Sequence, residues 1–148
     1  MNVDTDGELA WIIGSAIKGS LSVLLPYVWN IFSKNGYNFK KMLSRINYKK
    51  ASILALTGAL TGIMGKGITL ALTNGNIKLI QRMFVEFQWE LKSTLAAQYA
   101  NDNKINFGTA ISSAATSVIS GKLYVLNKIL SIYKRKGKAY TLRYIKRL

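Results

Sequence analysis

Two long, glycine-dotted apolar stretches dominate the hydrophobic pattern of this chain. Leu9 to Phe32 reads LAWIIGSAIKGSLSVLLPYVWNIF, and Ala51 to Thr73 reads ASILALTGALTGIMGKGITLALT, interrupted by Lys18 and Lys66 respectively. Each predicts a long helix. Asp6 is the expected cap of the first, with Pro26 as a kink or break near its end. Asn47 is the expected cap of the second, and Asn74-Gly75-Asn76 its stop. Between them runs a basic, aromatic connector, Lys34 to Lys50, without an acidic residue. From Ile77 to Ala100 the period is clearly helical: Ile80, Met83, Phe84, Phe87, Leu91 and Leu95 share one stripe, and Trp89 falls almost opposite it, near Val85. A turn at Asn101-Asp102-Asn103 precedes a further helix from Asn106 to about Tyr133, and a basic segment follows Gly137. Strand-like alternation is confined to the last ten residues. The pattern predicts an all-α fold of about five to six helices. Two are long, Gly/Ala-rich and apolar, one is amphipathic, and a basic segment closes the chain. It divides into an apolar helical hairpin, 1–75, and an amphipathic and basic helical region, 76–148.

Both apolar stretches are long enough for a bilayer, since roughly 20 helical residues span about 30 Å. Lys18 and Lys66 each cost about 3 kcal/mol on an insertion scale, and the eleven Leu, Ile, Val and Phe residues of the first stretch return about 3 to 6 kcal/mol. The balance is near zero, so such a segment suits a soluble core or a membrane. Trp11, Tyr27 and Trp29 flank the first stretch at its two ends, as interfacial aromatics do. Core aromatics would give the same pattern.

A weak internal repeat aligns INYKKASILALTGALTG from Ile46 with INFGTAISSAATSVISG from Ile105. In each copy an asparagine, Asn47 or Asn106, can cap a helix. Behind it runs a stripe of small residues: Ala51, Ala55, Gly58 and Gly62 in one copy, Ala110, Ala114, Ser117 and Gly121 in the other. Such spacing lets helix backbones approach closely, in lipid or in a soluble core.

Composition narrows the chemistry. The chain has 148 residues, a formal charge of +15, no cysteine and no histidine. Disulfides, thiolate chemistry, a Ser-His-Asp triad and the usual zinc sites are therefore excluded. Glu86 and Glu90 lie one turn apart, but Arg82 offers Glu86 an ordinary helical ion pair and no third carboxylate is near in sequence. Gly62, Gly65 and Gly67 match neither a P-loop nor a dinucleotide fingerprint. No catalytic motif, cofactor site or metal site is read, and the chain is not expected to be an enzyme. The acidic start, with Asp4, Asp6 and Glu8, does not read as a secretory signal, so export would need another route.

The excess charge predicts attraction to polyanions. From Lys122 onward nine basic residues occur with no acid, and Lys134, Arg135, Lys136, Lys138, Arg143, Lys146 and Arg147 alternate with Tyr133, Tyr140 and Tyr144. The pattern serves phosphate contact with base stacking. It equally serves a helix on anionic lipid, or simply a solvated tail.

VDTDGELAWIIGSAIKGSL at the start resembles the junction after the shell of Rhs (YD-repeat) polymorphic toxins, with Asp4, Thr5, Asp6 and Gly7 at the DPxG-like motif and threonine in place of proline. The two INxxx phrases resemble the Gly/Ala-rich pre-toxin segments of such effectors. The resemblance implies delivery by a specialised secretion system into a target cell, a chaperone or secretion-system carrier, and a cognate immunity protein. The first expectation is thus an antibacterial effector module that inserts residues 9 to 73 into the target cytoplasmic membrane as a pore-forming or depolarising hairpin, with Lys18 and Lys66 turned from lipid and anionic lipid as its partner. The alternative is a cytoplasmic module that targets nucleic acid through the basic tail.

Overall fold

A computed structural model describes residues 6–74 and 78–147. The described residues form eight helices and no strand: α1 Asp6–Lys34, α2 Phe39–Arg45, α3 Tyr48–Met64, α4 Lys66–Asn74, α5 Lys78–Asp102, α6 Phe107–Gly121, α7 Leu123–Lys136 and α8 Lys138–Lys146. Asp4 and Thr5 of the DPxG-like phrase, and Gly75-Asn76 of the expected stop, lie outside the described residues.

The expected asparagine caps form. Asn47 accepts the Lys50 amide at 3.1 Å and Asn106 accepts that of Thr109 at 3.0 Å, while Asn38 does the same for Lys41 at the start of α2. Each repeat cap is also tied back to the preceding element, since Asn47 N–H donates to the Tyr27 hydroxyl and Asn106 N–H to Gln98 Oε1. The helical stripe of α5 is buried as expected: Ile80, Met83, Phe87, Leu91 and Leu95 all enter the core.

Four helices enclose that core in the cyclic order α1, α3, α5, α6, each packed on its two neighbours. The two repeat helices, α3 and α6, stand on one diagonal and scarcely touch. The small-residue stripe of α3 faces α1 instead. A Cβ added at Gly58 would strike the Gly19 carbonyl, with Gly19 C and Val23 Cγ2 both at 2.9 Å, and one at Gly19 would lie 2.8 Å from Gly58 C. One at Gly62 would meet the Ser15 carbonyl. The two backbones are therefore in contact at Gly19 and Gly58. Beside the crossing, buried Ser20 donates to the Ala55 carbonyl at 2.8 Å, which ties α1 to the α3 backbone. Ala51 and Ala55 are buried in α3, and Ala110 and Ala114 in α6. Gly121 is different: it is exposed at the end of α6, with open space where a Cβ would stand.

Several sequence expectations are corrected. Eight helices replace five to six. The second apolar stretch is two helices, because Gly65 takes φ +92°, a conformation that L side chains rarely adopt. Lys66 is consequently the first residue of α4 and exposed, not buried within a spanning helix. The helix expected from Asn106 to Tyr133 divides at Lys122 into α6 and α7. Lys138–Lys146 form α8 rather than a strand, entered through Gly137 at φ +87°. Helix α1 continues through Pro26 to Lys34. The Gly65 and Gly137 breaks share one construction, in the segments GKGIT and GKAYT: a buried threonine four residues on, Thr69 or Thr141, donates its hydroxyl to the glycine carbonyl at 2.8 and 2.7 Å.

Gly58→Ala should destabilise the fold by about 1 to 3 kcal/mol through overpacking, less up to about 1 kcal/mol of helix propensity gained. Gly14→Ala, at an exposed position of α1 with nothing within 4 Å of the new carbon, should stabilise by about 0.5 to 1 kcal/mol. Thermal melts of the two variants check this opposition of sign.

Candidate membrane-facing surface

Helix α1 is the one helix among the described residues long and apolar enough to cross a membrane, over Ala10–Lys34, and only 28% of its most apolar window is buried. Trp11 and Trp29 stand near its two ends, both substantially exposed. They are separated by about 27 Å along the axis at 1.5 Å per residue, close to the thickness of a hydrocarbon core.

Outside the α1–α3 crossing lies an open groove of about 570 Å³. Its walls are small and mostly apolar in surface: the hydroxyls of Ser15 and Ser22 from α1 and of Thr57 and Thr61 from α3 are set among three glycines, Val23 and, at one end, Trp11. Lys18 lines this groove and is exposed to solvent there. The hairpin thus carries Lys18 and four hydroxyl side chains along a groove of otherwise apolar surface.

At the other end of α1 the chain reverses through Gly36 and Tyr37, both in the left-handed region at φ +68° and +60°. For tyrosine that conformation costs of order 1 kcal/mol or more. It is held by the Tyr37 amide donating to the Phe32 carbonyl at 3.0 Å and by a cluster of rings. Phe32 stacks on Phe39 at 4.8 Å and meets Tyr37 edge-on at 5.4 Å, and Trp29 lies 5.7 Å from Phe32. Behind the rings an apolar groove of about 360 Å³ runs between α1, α2 and Phe107 at the start of α6. Lys34, Lys40 and Lys41 are exposed on the same two helices. Tyr27 is half-buried instead, bound to the Asn47 amide and covered by Lys50 at 5.4 Å.

Trp89 stands out on α5 as the pattern implied, 69% exposed beside Val85 at 66%. Glu86 in the next turn lies 3.9 Å from Lys122, not in an ion pair with its helical neighbour Arg82. Among the described residues no three His, Cys, Asp or Glu gather to hold a metal.

The basic residues of the tail, Lys134, Arg135, Lys136, Lys138, Arg143, Lys146 and Arg147, are all exposed on α7, α8 and the junctions after each. Many of their charges are spent on rings within the chain. Lys136 and Arg143 both lie 5.9 Å from the Tyr140 centroid, Lys128 lies 5.8 Å from Tyr144, and Lys134 lies 5.5 Å from Trp11. Lys138 reaches across α4 to Gly67. Tyr140, Arg143, Tyr144 and Arg147 line a small cleft of about 240 Å³.

The aromatic corner was only partly readable beforehand. Trp29 is marked by its place at the end of the apolar stretch, but Phe32, Tyr37 and Phe39 converge only because of the tight Gly36–Tyr37 reversal. The signal available was NGYNF, a turn sequence set among aromatic residues.

Comparison with family models, with curated proteins and with solved structures gives no match to this chain.

Burial pushes the Tyr48 hydroxyl above its ordinary pKa of 10.0, and that hydroxyl donates to the Leu43 carbonyl at 3.3 Å. A raised folded-state value means that stability is intact below pH 10 and is lost as pH rises through the folded value. Unfolding measured above pH 10 should therefore weaken wild type more steeply than Tyr48→Phe. Parallel pH profiles would contradict the burial of this group.

Proposed function

We propose that this chain is an antibacterial effector module that acts on the cytoplasmic membrane of a target cell, inserting its α1–α3 hairpin to form a pore or otherwise dissipate the membrane potential. The observation that carries this reading is the placement of Lys18 with four hydroxyl side chains in the groove at the helix crossing. In a bilayer an isolated lysine is expensive and turns towards water or a partner, and Lys18 already shares one strip with Ser15, Ser22, Thr57 and Thr61. That strip suits an aqueous lumen while the apolar faces meet lipid. Helix α3 has 17 residues, at the lower limit for a span, and α4 beyond the Gly65 break would remain at the interface. The basic connector from Lys34 to Lys50 favours the cytoplasmic side, and the acidic start the outside.

As in the Rhs toxins that the sequence resembles, such a module would need delivery by a specialised secretion system, a carrier or chaperone before delivery, and an immunity protein in the producing cell. In the folded bundle the same hairpin packs on α5 and α6.

A second reading, binding of nucleic acid through the tail, is favoured by the Tyr140–Arg147 cleft. Cations lying over the rings of Tyr140 and Tyr144 compete with base stacking, which leaves phosphate contact as its main term. Salt dependence tests it, with a log–log slope of about −0.9 for each duplex phosphate neutralised.

Induced expression with a potential-sensitive dye, comparing periplasmic with cytoplasmic routing, tests the membrane reading. Depolarisation should precede loss of viability, and should follow periplasmic routing. Gly58→Leu combined with Gly62→Leu should abolish it while vesicle binding persists. Cells that die with their potential intact would overturn the membrane reading.

A further inference from the structure

We propose that the corner where α1 meets α2 is the face on which the folded protein docks to an anionic phospholipid bilayer, before any helix inserts. This rests on the membrane-acting reading and adds to it a location and an orientation. Soluble proteins seldom leave several large apolar side chains exposed together. Here Trp29, Tyr37, Leu25 and Phe39 are 60%, 62%, 42% and 39% exposed. The rings are already held against one another, so little side-chain freedom remains to be lost on docking. Tryptophan and tyrosine rings favour the headgroup level of a membrane, and the apolar groove behind them can accept acyl chain.

Charge decides the occupant. Lys34, Lys40 and Lys41 flank the corner, and no acidic residue occurs from Leu9 to Val85. Asp102 is the one acid nearby, in the adjoining cleft that Leu25 and Phe107 also line. Each lysine held near an anionic leaflet adds about fivefold to the affinity. A second copy of this chain, itself at +15, would bring the same three lysines to a symmetric contact and be repelled. Exposed Trp89 on α5 provides a contrast: Glu86 and Glu90 flank it in sequence, whereas no acid flanks Trp29.

The test uses the full chain with one tryptophan retained. Trp11→Phe with Trp89→Phe leaves Trp29, and Trp11→Phe with Trp29→Phe leaves Trp89. Both are mixed with vesicles of phosphatidylglycerol and phosphatidylcholine whose acyl chains are brominated. The expected result is a blue shift and strong quenching for Trp29 with neither for Trp89. Trp29→Ala with Phe39→Ala should weaken binding about ten- to a hundredfold. Lys40→Glu with Lys41→Glu, on exposed positions that leave the core intact, should weaken it comparably, and circular dichroism verifies folding. Vesicle binding with Trp29 unquenched overturns this docking face and leaves the membrane reading standing. Absence of binding by the folded wild-type chain overturns both. A dimer in sedimentation that Trp29→Ala dissolves would assign the corner to a second copy and overturn the proposal.

Discussion

Direct backbone contact between α1 and α3 is the constraint on which the rest of this molecule depends. Gly19 and Gly58 have no Cβ at the crossing, and Gly62 faces the Ser15 carbonyl in the next turn. The Ser20 hydrogen bond to the Ala55 carbonyl locks the helices alongside. Because the helices approach so closely, α1 covers the inner face of α3 and still reaches α6, closing the four-helix ring. The same closeness leaves the outer side of the crossing walled by serine, threonine, glycine and Val23, and so creates the shallow groove in which Lys18 stands. Packing of this kind draws on van der Waals contact and buried hydrogen bonds. It survives transfer from water to lipid better than packing driven by the hydrophobic effect, which has no counterpart between helices in hydrocarbon.

Much of this was legible in the sequence. The i, i+3, i+4 stripe of α5, the two asparagine caps and the small-residue stripe of α3 are local signals, and local geometry decides them. The partner of that stripe was not legible. The other repeat helix, α6, stands diagonally opposite, and α1 supplies Gly19 from within a stretch whose spacing gave no preference for one glycine over another. The helix breaks were missed for a different reason. Gly65 lies in a run of four glycines from Gly58 to Gly67, and only the repeated GKxxT phrase, with threonine bonded back to the glycine carbonyl, distinguishes it and Gly137 from glycines that helices tolerate.

The functional surface was legible as composition and not as geometry. Basic residues and aromatics were evident along the chain, yet their distribution over the folded surface separates them into three kinds of place. At the tail, lysine and arginine cover tyrosine rings of the same chain and satisfy one another's needs locally. On α5 an exposed tryptophan sits with glutamates. At the α1–α2 corner, rings and lysines stand together with a left-handed tyrosine holding the turn. That corner combines several exposed apolar rings with positive charge, which is the chemistry that anionic lipid recognises.

The central claim is that the α1–α3 hairpin leaves the bundle when the protein meets a membrane while its own crossing persists. Spin labels at Lys18 on α1 and Val85 on α5 would report the first part, and labels at Lys18 and Thr61 the second, by pulsed electron resonance distances in buffer and in anionic vesicles. The expected result is a lengthened α1–α5 distance in vesicles with the α1–α3 distance unchanged. Vesicles that leak while both distances keep their solution values would contradict the claim.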